Sequence, residues 1–197
     1  ANRALELIKR KKGEYSAINP NDHVNMAQST NDTYPTAMRL CILMVAQGFL
    51  DNLENLRKAF AKKGMEFERV LKSGRTHLMD ALPITLGQEF AAYSVAIKKA
   101  RNLLKENLKL LEEVPLGATA VGTGANTHPD YQRQVVRRLR EITGLNLTEA
   151  EDPREMLQSR LELASVSGSL KELSLELIRM KRSTGCRSRR KYGTRCS

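Results

Sequence analysis

Apolar side chains recur every three or four positions along most of this 197-residue chain, which is the period of a helix that buries one face. Residues 1–11 read as the end of a helix with Ala4, Leu5 and Ile8 on one side. Residues 12–35 are polar and broken by Gly13, Pro20 and clusters of Asn and Asp, which predicts a loop. A helix is predicted over 36–63. Its middle, 40–50, is apolar nearly all round and predicts burial on several sides; Phe49, Leu53, Leu56 and Phe60 then continue as one stripe, and Gly64 is a stop signal. Residues 71–84, with Pro83, read as irregular. A second long helix is predicted over 85–113, where Phe90, Tyr93, Ile97, Ala100, Leu104 and Leu111 keep helical spacing until Pro115. Residues 116–128 are rich in Gly, Ala and Thr and read as a loop. Pro129 then opens a shorter helix over 131–142, which Gly144 closes. The last helix is predicted over 154–180, with Leu163, Val166, Leu170, Leu173, Leu177 and Met180 in a seam close to the 3.5-residue repeat. At 1.5 Å per residue it is about 40 Å long. No strand pattern and no internal repeat stand out, so the expected fold class is all-α, a bundle of long helices. At Lys181 the apolar period stops without a cap. This divides the chain into a helical domain, 1–180, and a basic segment, 181–197, which reads as an unstructured tail or a foreign reading frame.

Composition sharpens this picture in three ways. The chain is 41% hydrophobic and lacks Trp, yet no apolar run approaches the roughly 18 to 20 residues of a membrane span. The start, Ala1-Asn2-Arg3-Ala4-Leu5-Glu6, has no uninterrupted apolar stretch and is not a signal peptide. Lacking Met and opening in mid-pattern, it is expected to begin inside a longer protein. The three Cys, at 41, 186 and 196, form neither a disulfide framework nor a CxxC pair, and with the three His they show no zinc spacing. No metal and no cofactor are expected, and the setting predicted is reducing and cytoplasmic. The formal charge of +11 suggests nucleic acid at first. However, seven of the 33 Lys and Arg fall in 181–197, which holds no acid, and this leaves 26 against 22 acidic residues elsewhere. The basic character belongs mainly to the tail.

The candidate chemistry lies in two polar clusters about one helix length apart. In Gln28-Ser29-Thr30-Asn31-Asp32-Thr33-Tyr34-Pro35, two hydroxyls and an amide precede a helix, whose positive end favours an anion. The simpler reading is that one of Ser29, Thr30, Asn31 or Asp32 is an N-cap; both readings can hold together. Gly74-Arg75-Thr76-His77 is the second cluster, where Thr76 and His77 could bind an oxyanion or His77 could move a proton. Its simpler reading is a surface turn. Asn21, Asp22, His23 and Asn25 precede the first cluster, and His23 beside Asp22 reads most simply as a solvated pair. Residues 117–124, GATAVGTG, match neither phosphate-loop pattern, because Thr123 stands where Lys is needed and the spacing is not GxGxxG. They read as a tight loop that lets backbone approach a ligand or a neighbouring helix.

Together these segments resemble the fumarase/aspartase superfamily of lyases. The matching text is NPNDHVNMAQSTNDTYPTAMR at 19–39, GRTHLMDALP at 74–83, TLGQEF at 85–90, and GATAVGTGAN at 117–126 followed by Thr127, His128 and Pro129. Met26, Ser29, Thr30, Glu14 and Tyr15 lean towards the aspartase branch. The resemblance covers about residues 1–180. It implies the central helical domain of that fold, incomplete at both ends, in a homotetramer whose sites draw on three subunits. It implies a small dicarboxylate substrate and reversible loss of ammonia from L-aspartate to give fumarate, without a cofactor. Ser29, Thr30, Asn31, Thr76 and His77 fall on substrate-binding positions, with His77 also a proton-relay candidate. Asn21, Asp22, His23 and Asn25 fall on a secondary anion site, where His is more usual at the position of Asn19. The family's base is a serine in a Gly-Ser-Ser loop followed by Met-Pro-x-Lys-x-Asn-Pro, and that text is absent here. The chain is therefore expected to be a truncated or frame-shifted piece without its base. The alternatives are fumarate hydratase, from the same superfamily; a helical nucleic-acid binder using the Arg-rich tail, which has one aromatic, Tyr192, for stacking; and a purely structural helical assembly.

Overall fold

The structure, a computed structural model, describes residues 1–77 and 79–190, with side chains as far as 183. Its elements in order are α1 (Asn2–Leu7), α2 (Thr30–Glu66), β1 (Leu71–Thr76), β2 (Met79–Thr85), α3 (Leu86–Lys109), β3 (Glu113–Val114), α4 (Tyr131–Thr143), β4 (Thr148–Glu149), α5 (Pro153–Gln158) and α6 (Leu161–Arg190). A single π-helical turn, Pro20–Val24, lies between α1 and α2. Long helices dominate, as the apolar spacing predicts. The chain divides into two compact units, one of Ala1–Leu43 with Leu111–Arg160, the other of Met44–Leu110 with the chain from Leu161 onward.

The first unit is built on a small core of Val114, Leu116, Val136 and Leu147, with Leu40, Leu43, Val135, Leu139 and Leu145 packed against it. Val135, Val136 and Leu139 form the apolar stripe of α4, and Gly144 ends that helix in the left-handed conformation at φ 69°. β3 and β4 pair in parallel, Glu113 with Thr148 and Val114 with Glu149.

The second unit packs α3 on α6. Tyr93, Ile97, Leu104 and Leu108 are buried on α3, and Val166, Leu173 and Met180 on α6, so half of the predicted heptad seam is enclosed. Leu170 and Leu177 of the same seam are 40% and 38% exposed. Asn107 donates to Ser169 Oγ at 2.6 Å and links the two helices. Phe60, Phe67, Phe90 and Tyr93 form an aromatic cluster with ring centroids 5.7–6.1 Å apart. Beside it α2 and α3 touch backbone to backbone, since a Cβ on Gly87 would collide with the Gly64 carbonyl. Thr85 and Gln88 form a capping box that starts α3.

Several expectations are corrected. Residues 71–85 are an antiparallel hairpin, not an irregular segment. Leu71 pairs with Thr85 and Thr76 with Met79, and the register shifts between Ser73 and Arg75 around Gly74. Most of its side chains are exposed, so no alternation of buried and polar positions marked it as strand. The stretch 40–50 is not enclosed: Met44 and Val45 are 69% and 67% exposed. The predicted 154–180 helix is two helices, because Ser159 adopts an extended conformation at ψ 152°. α2 starts six residues early, with Pro35 inside it. The apolar period ends at Met180 but α6 runs on to Arg190, since Lys, Arg and Ser tolerate helical backbone without a seam. Ser183 Oγ, Tyr93 Oη and Glu89 Oε1 form a hydrogen-bonded triangle of 2.6, 2.8 and 3.1 Å. Residues 191–197, the remainder of the basic tail, lie outside the described residues. Among the described residues no helix is long and apolar enough to cross a membrane.

Candidate substrate-holding site

The start of α2 is a closed hydrogen-bonding device. Ser29 Oγ accepts from the Asn31 N–H at 3.2 Å, and Asp32 Oδ1 accepts from the Ser29 N–H at 3.0 Å, a reciprocal cap that satisfies donors a helix leaves orphaned. The second oxygen, Asp32 Oδ2, accepts from the Gly117 and Thr119 N–H groups at 3.1 and 2.9 Å. Asp32 is fully buried. One carboxylate thus locks the helix start to the glycine loop. Asn31 closes a further link, donating Nδ2 to the Ala120 carbonyl at 2.8 Å. That leaves Asn31 Oδ1 as an acceptor, and Ser29 keeps its hydroxyl proton to donate. Thr30 and Asn31 are exposed and Ser29 is half-buried.

The loop reaches these partners because its backbone turns left-handed repeatedly: Gly117, Thr119, Gly122 and Gly124 have φ of 94°, 61°, 89° and 65°. A Cβ on Gly117 would stand 2.7 Å from Gln132 Cα, and one on Gly122 2.6 Å from Arg154 Cα. Glycine is required there by close approach to helices. The Gly122 and Gly124 N–H groups both bond Ala118 O, at 3.2 and 3.0 Å. Of the two uses expected for this loop, the backbone approach to a helix is the one the geometry carries. A cleft of about 350 Å³ opens beside it, lined by Asn31, Ala120, Val121, Arg154, Gln158 and Arg160 among others.

The second group of candidates lies in the same unit. Asn19 Oδ1 accepts from the Asn21 and Asp22 N–H groups at 2.8 and 3.2 Å, and Asn19 N–H donates to His23 Nδ1 at 2.9 Å. The backbone donors that would meet an anion are occupied by Asn19 itself. Asn21, Asp22, His23 and Asn25 are exposed.

Thr76 and His77 belong to the other unit, at the turn of the hairpin. Both are exposed, and His77 sits at φ 49°. Arg75 Nε donates to Asp80 Oδ1 across the strands at 2.9 Å. Lys72 and Glu89, 3.0 Å apart, tie β1 to α3.

Residues 1–184 match the lyase family. This chain belongs to that family. Within it the lyase segment is a member of the fumarase/aspartase superfamily. The aspartate ammonia-lyase of Bacillus subtilis (strain 168) is 44% identical over 179 residues, 91% of this chain and 38% of that protein. A fumarate lyase:delta crystallin from Brucella melitensis, solved bound to cobalt, has a TM-score of 0.89 at 41% identity, over 93% of this chain and 40% of its own. A recombinant class II fumarase from Schistosoma mansoni has a TM-score of 0.82 at 33% identity, over 92% and 41%. The chain thus spans about two fifths of the length of these relatives.

The central role of Asp32 in this lyase segment goes beyond the cap that local sequence suggests. Its loop partners are 85 and 87 positions away. The available signal was the left-handed demand of the glycines at 117, 122 and 124, which called for an anchor without naming it. Arg160, which follows α5 and lines the same cleft, belongs to no motif that the sequence offered.

Proposed function

We propose that this chain is the substrate-holding portion of an aspartate ammonia-lyase, which converts L-aspartate to fumarate and ammonia. The observation that carries this reading is the locked start of α2. It presents one hydroxyl donor, from Ser29, and one amide acceptor, Asn31 Oδ1, on a fixed backbone. Elimination needs both kinds of group: donors for the carboxylate on which charge builds when the C3 proton leaves, and an acceptor for the departing ammonium. Ser29, Thr30 and Asn31 hold the substrate at the helix start, and Thr76 and His77 form a second binding segment. An ammonium leaves with less acid help than hydroxide, so His77 acts chiefly as a binding donor and secondarily as a proton relay. By the family resemblance Asn21, Asp22, His23 and Asn25 are assigned to a secondary anion site, which side chains rather than backbone would have to supply, because the Asn21 and Asp22 N–H groups are taken by Asn19. The working enzyme is a cytoplasmic homotetramer, which fits the exposed apolar positions Met44, Val45 and Phe49 on α2.

The second reading is fumarate hydratase, favoured by the likeness to the Schistosoma mansoni fumarase. Both are tested by replacing the matching segment of the Bacillus subtilis enzyme with residues 1–180 of this chain. The expected result is fumarate formation from L-aspartate and none from L-malate. Turnover of malate alone would favour the second reading, and an inactive, folded tetramer would sink both.

A further inference from the structure

We propose that the cleft between the start of α2, the glycine loop and the α5–α6 junction binds the carboxylate of a small amino acid or dicarboxylate, with Arg160 as its charge partner. The inference deepens the proposed function and rests on its assignment of Asn31 to substrate.

Four observations converge. The cleft, about 350 Å³, is at the small end of ligand pockets. Arg154, one of its two cations, is neutralised locally, since Nε and Nη2 both donate to Asp152 at 2.9 Å. Arg160 is not: its Nη1 donates to the carbonyls of Met156 and Leu157 at 3.0 and 3.2 Å and also to that of Ser159. Carbonyl partners hold a guanidinium still without cancelling its charge, and they leave Nε and Nη2 as donors in the geometry that suits a carboxylate. Asn31 lines the same cleft. With Nδ2 committed to Ala120, its Oδ1 accepts from a ligand's ammonium or hydroxyl. Arg160 also satisfies carbonyls at the end of α5, where Ser159 is extended. A held cation and a fixed acceptor lining one cleft make a site for a molecule carrying both a carboxylate and a donor.

The test titrates the full chain with succinate and with L-aspartate, following binding by calorimetry. Arg160→Gln keeps amide donors for the α5 carbonyls and removes the charge. Its expected effect is a Kd about tenfold or more weaker for both ligands, with an unchanged unfolding midpoint. Arg160→Lys, which keeps the charge, is expected to recover part of the loss. Lys109→Ala, exposed on α3 in the other unit, is expected to leave both affinities unchanged. The proposal is overturned if the chain binds neither ligand at millimolar concentration. It also fails if Arg160→Gln binds as tightly as the parent, or if Lys109→Ala weakens binding as much as Arg160→Gln. The two inferences can fail separately. Binding through Arg160 with an inactive chimaera leaves the cleft standing and the lyase reading fallen, while an active chimaera indifferent to Arg160→Gln does the reverse.

Discussion

The start of α2 and the turn of the β1–β2 hairpin carry similar side chains, small hydroxyls with an amide or imidazole, but their hydrogen bonds go to different places. At α2 the polar groups are turned inward. Asp32 is completely buried and accepts from Ser29, Gly117 and Thr119, and Asn31 reaches Ala120. At the hairpin, Thr76 and His77 are exposed, and Arg75 pairs with Asp80 across the exposed strands. The first segment is held by tertiary partners and keeps its shape without a ligand. The second presents its groups from a two-stranded ribbon, a kind of element that is marginal by itself. Pre-organisation therefore differs between two segments to which the same function is proposed, and that difference can be measured.

The largest expected effect comes from Asp32→Ala. Three backbone N–H groups lose their acceptor in a buried place, at a cost of about 3 kcal/mol or more. For a chain of this size that lowers the thermal midpoint by about 6–12 °C. Chemical denaturation checks it, and a loss under about 1 kcal/mol would mean that water replaces the carboxylate and that the clasp is not what distinguishes α2 from the hairpin.

How much of this was legible in the sequence depends on how far each signal reaches along the chain. α3 and α4 were readable because their stripes are local: Tyr93, Ile97 and Leu104 repeat at helical spacing, and Gly144 announces the end of α4. The capping box of Thr85 and Gln88 lies within four residues. The hairpin was not readable, because β1 and β2 bury little and the period-two signal depends on one buried face. Met44 and Val45 suggested burial by their chemistry and are exposed, since apolarity says that a face wants a partner and not which chain supplies it. At the candidate site, Ser29 and Asn31 were readable as helix-start chemistry. Asp32 read only as a cap, because Gly117 and Thr119 are brought to it by the fold.

A smaller effect sharpens the comparison from the other side. Thr76→Ala at the exposed turn is expected to change stability by no more than about 0.5 kcal/mol. His77→Gly is expected to be neutral or stabilising, because His77 holds φ 49°, where a side chain is strained and glycine is not. Both variants should instead weaken substrate binding in the chimaeric enzyme. A turn whose stability falls as far as that of Asp32→Ala would show that the hairpin is as firmly built as α2.

The smallest effect asks whether burial, rather than membership of one unit, is what makes the α2 clasp strong. Asp152 and Arg154 lie in the same unit as Asp32, and the pair is bidentate, with both distances 2.9 Å, yet it faces solvent. The Arg154 guanidinium, helped by its backbone N–H, holds the Asp152 carboxyl down to about 2 from an ordinary 3.8. A folded value below the unfolded one means that the tie contributes fully above the unfolded value and is lost as pH falls through about 2. At neutral pH, Arg154→Ala is expected to leave the unfolding midpoint almost unchanged, since solvent screens an exposed pair. The Asp152 carboxyl, followed by its carbon resonance in an acid titration, should move back towards 3.8 but stop short, because the backbone N–H of residue 154 still donates to it. A large loss of stability in that variant would place strength in the unit as a whole and remove burial as the reason that α2 differs from the hairpin.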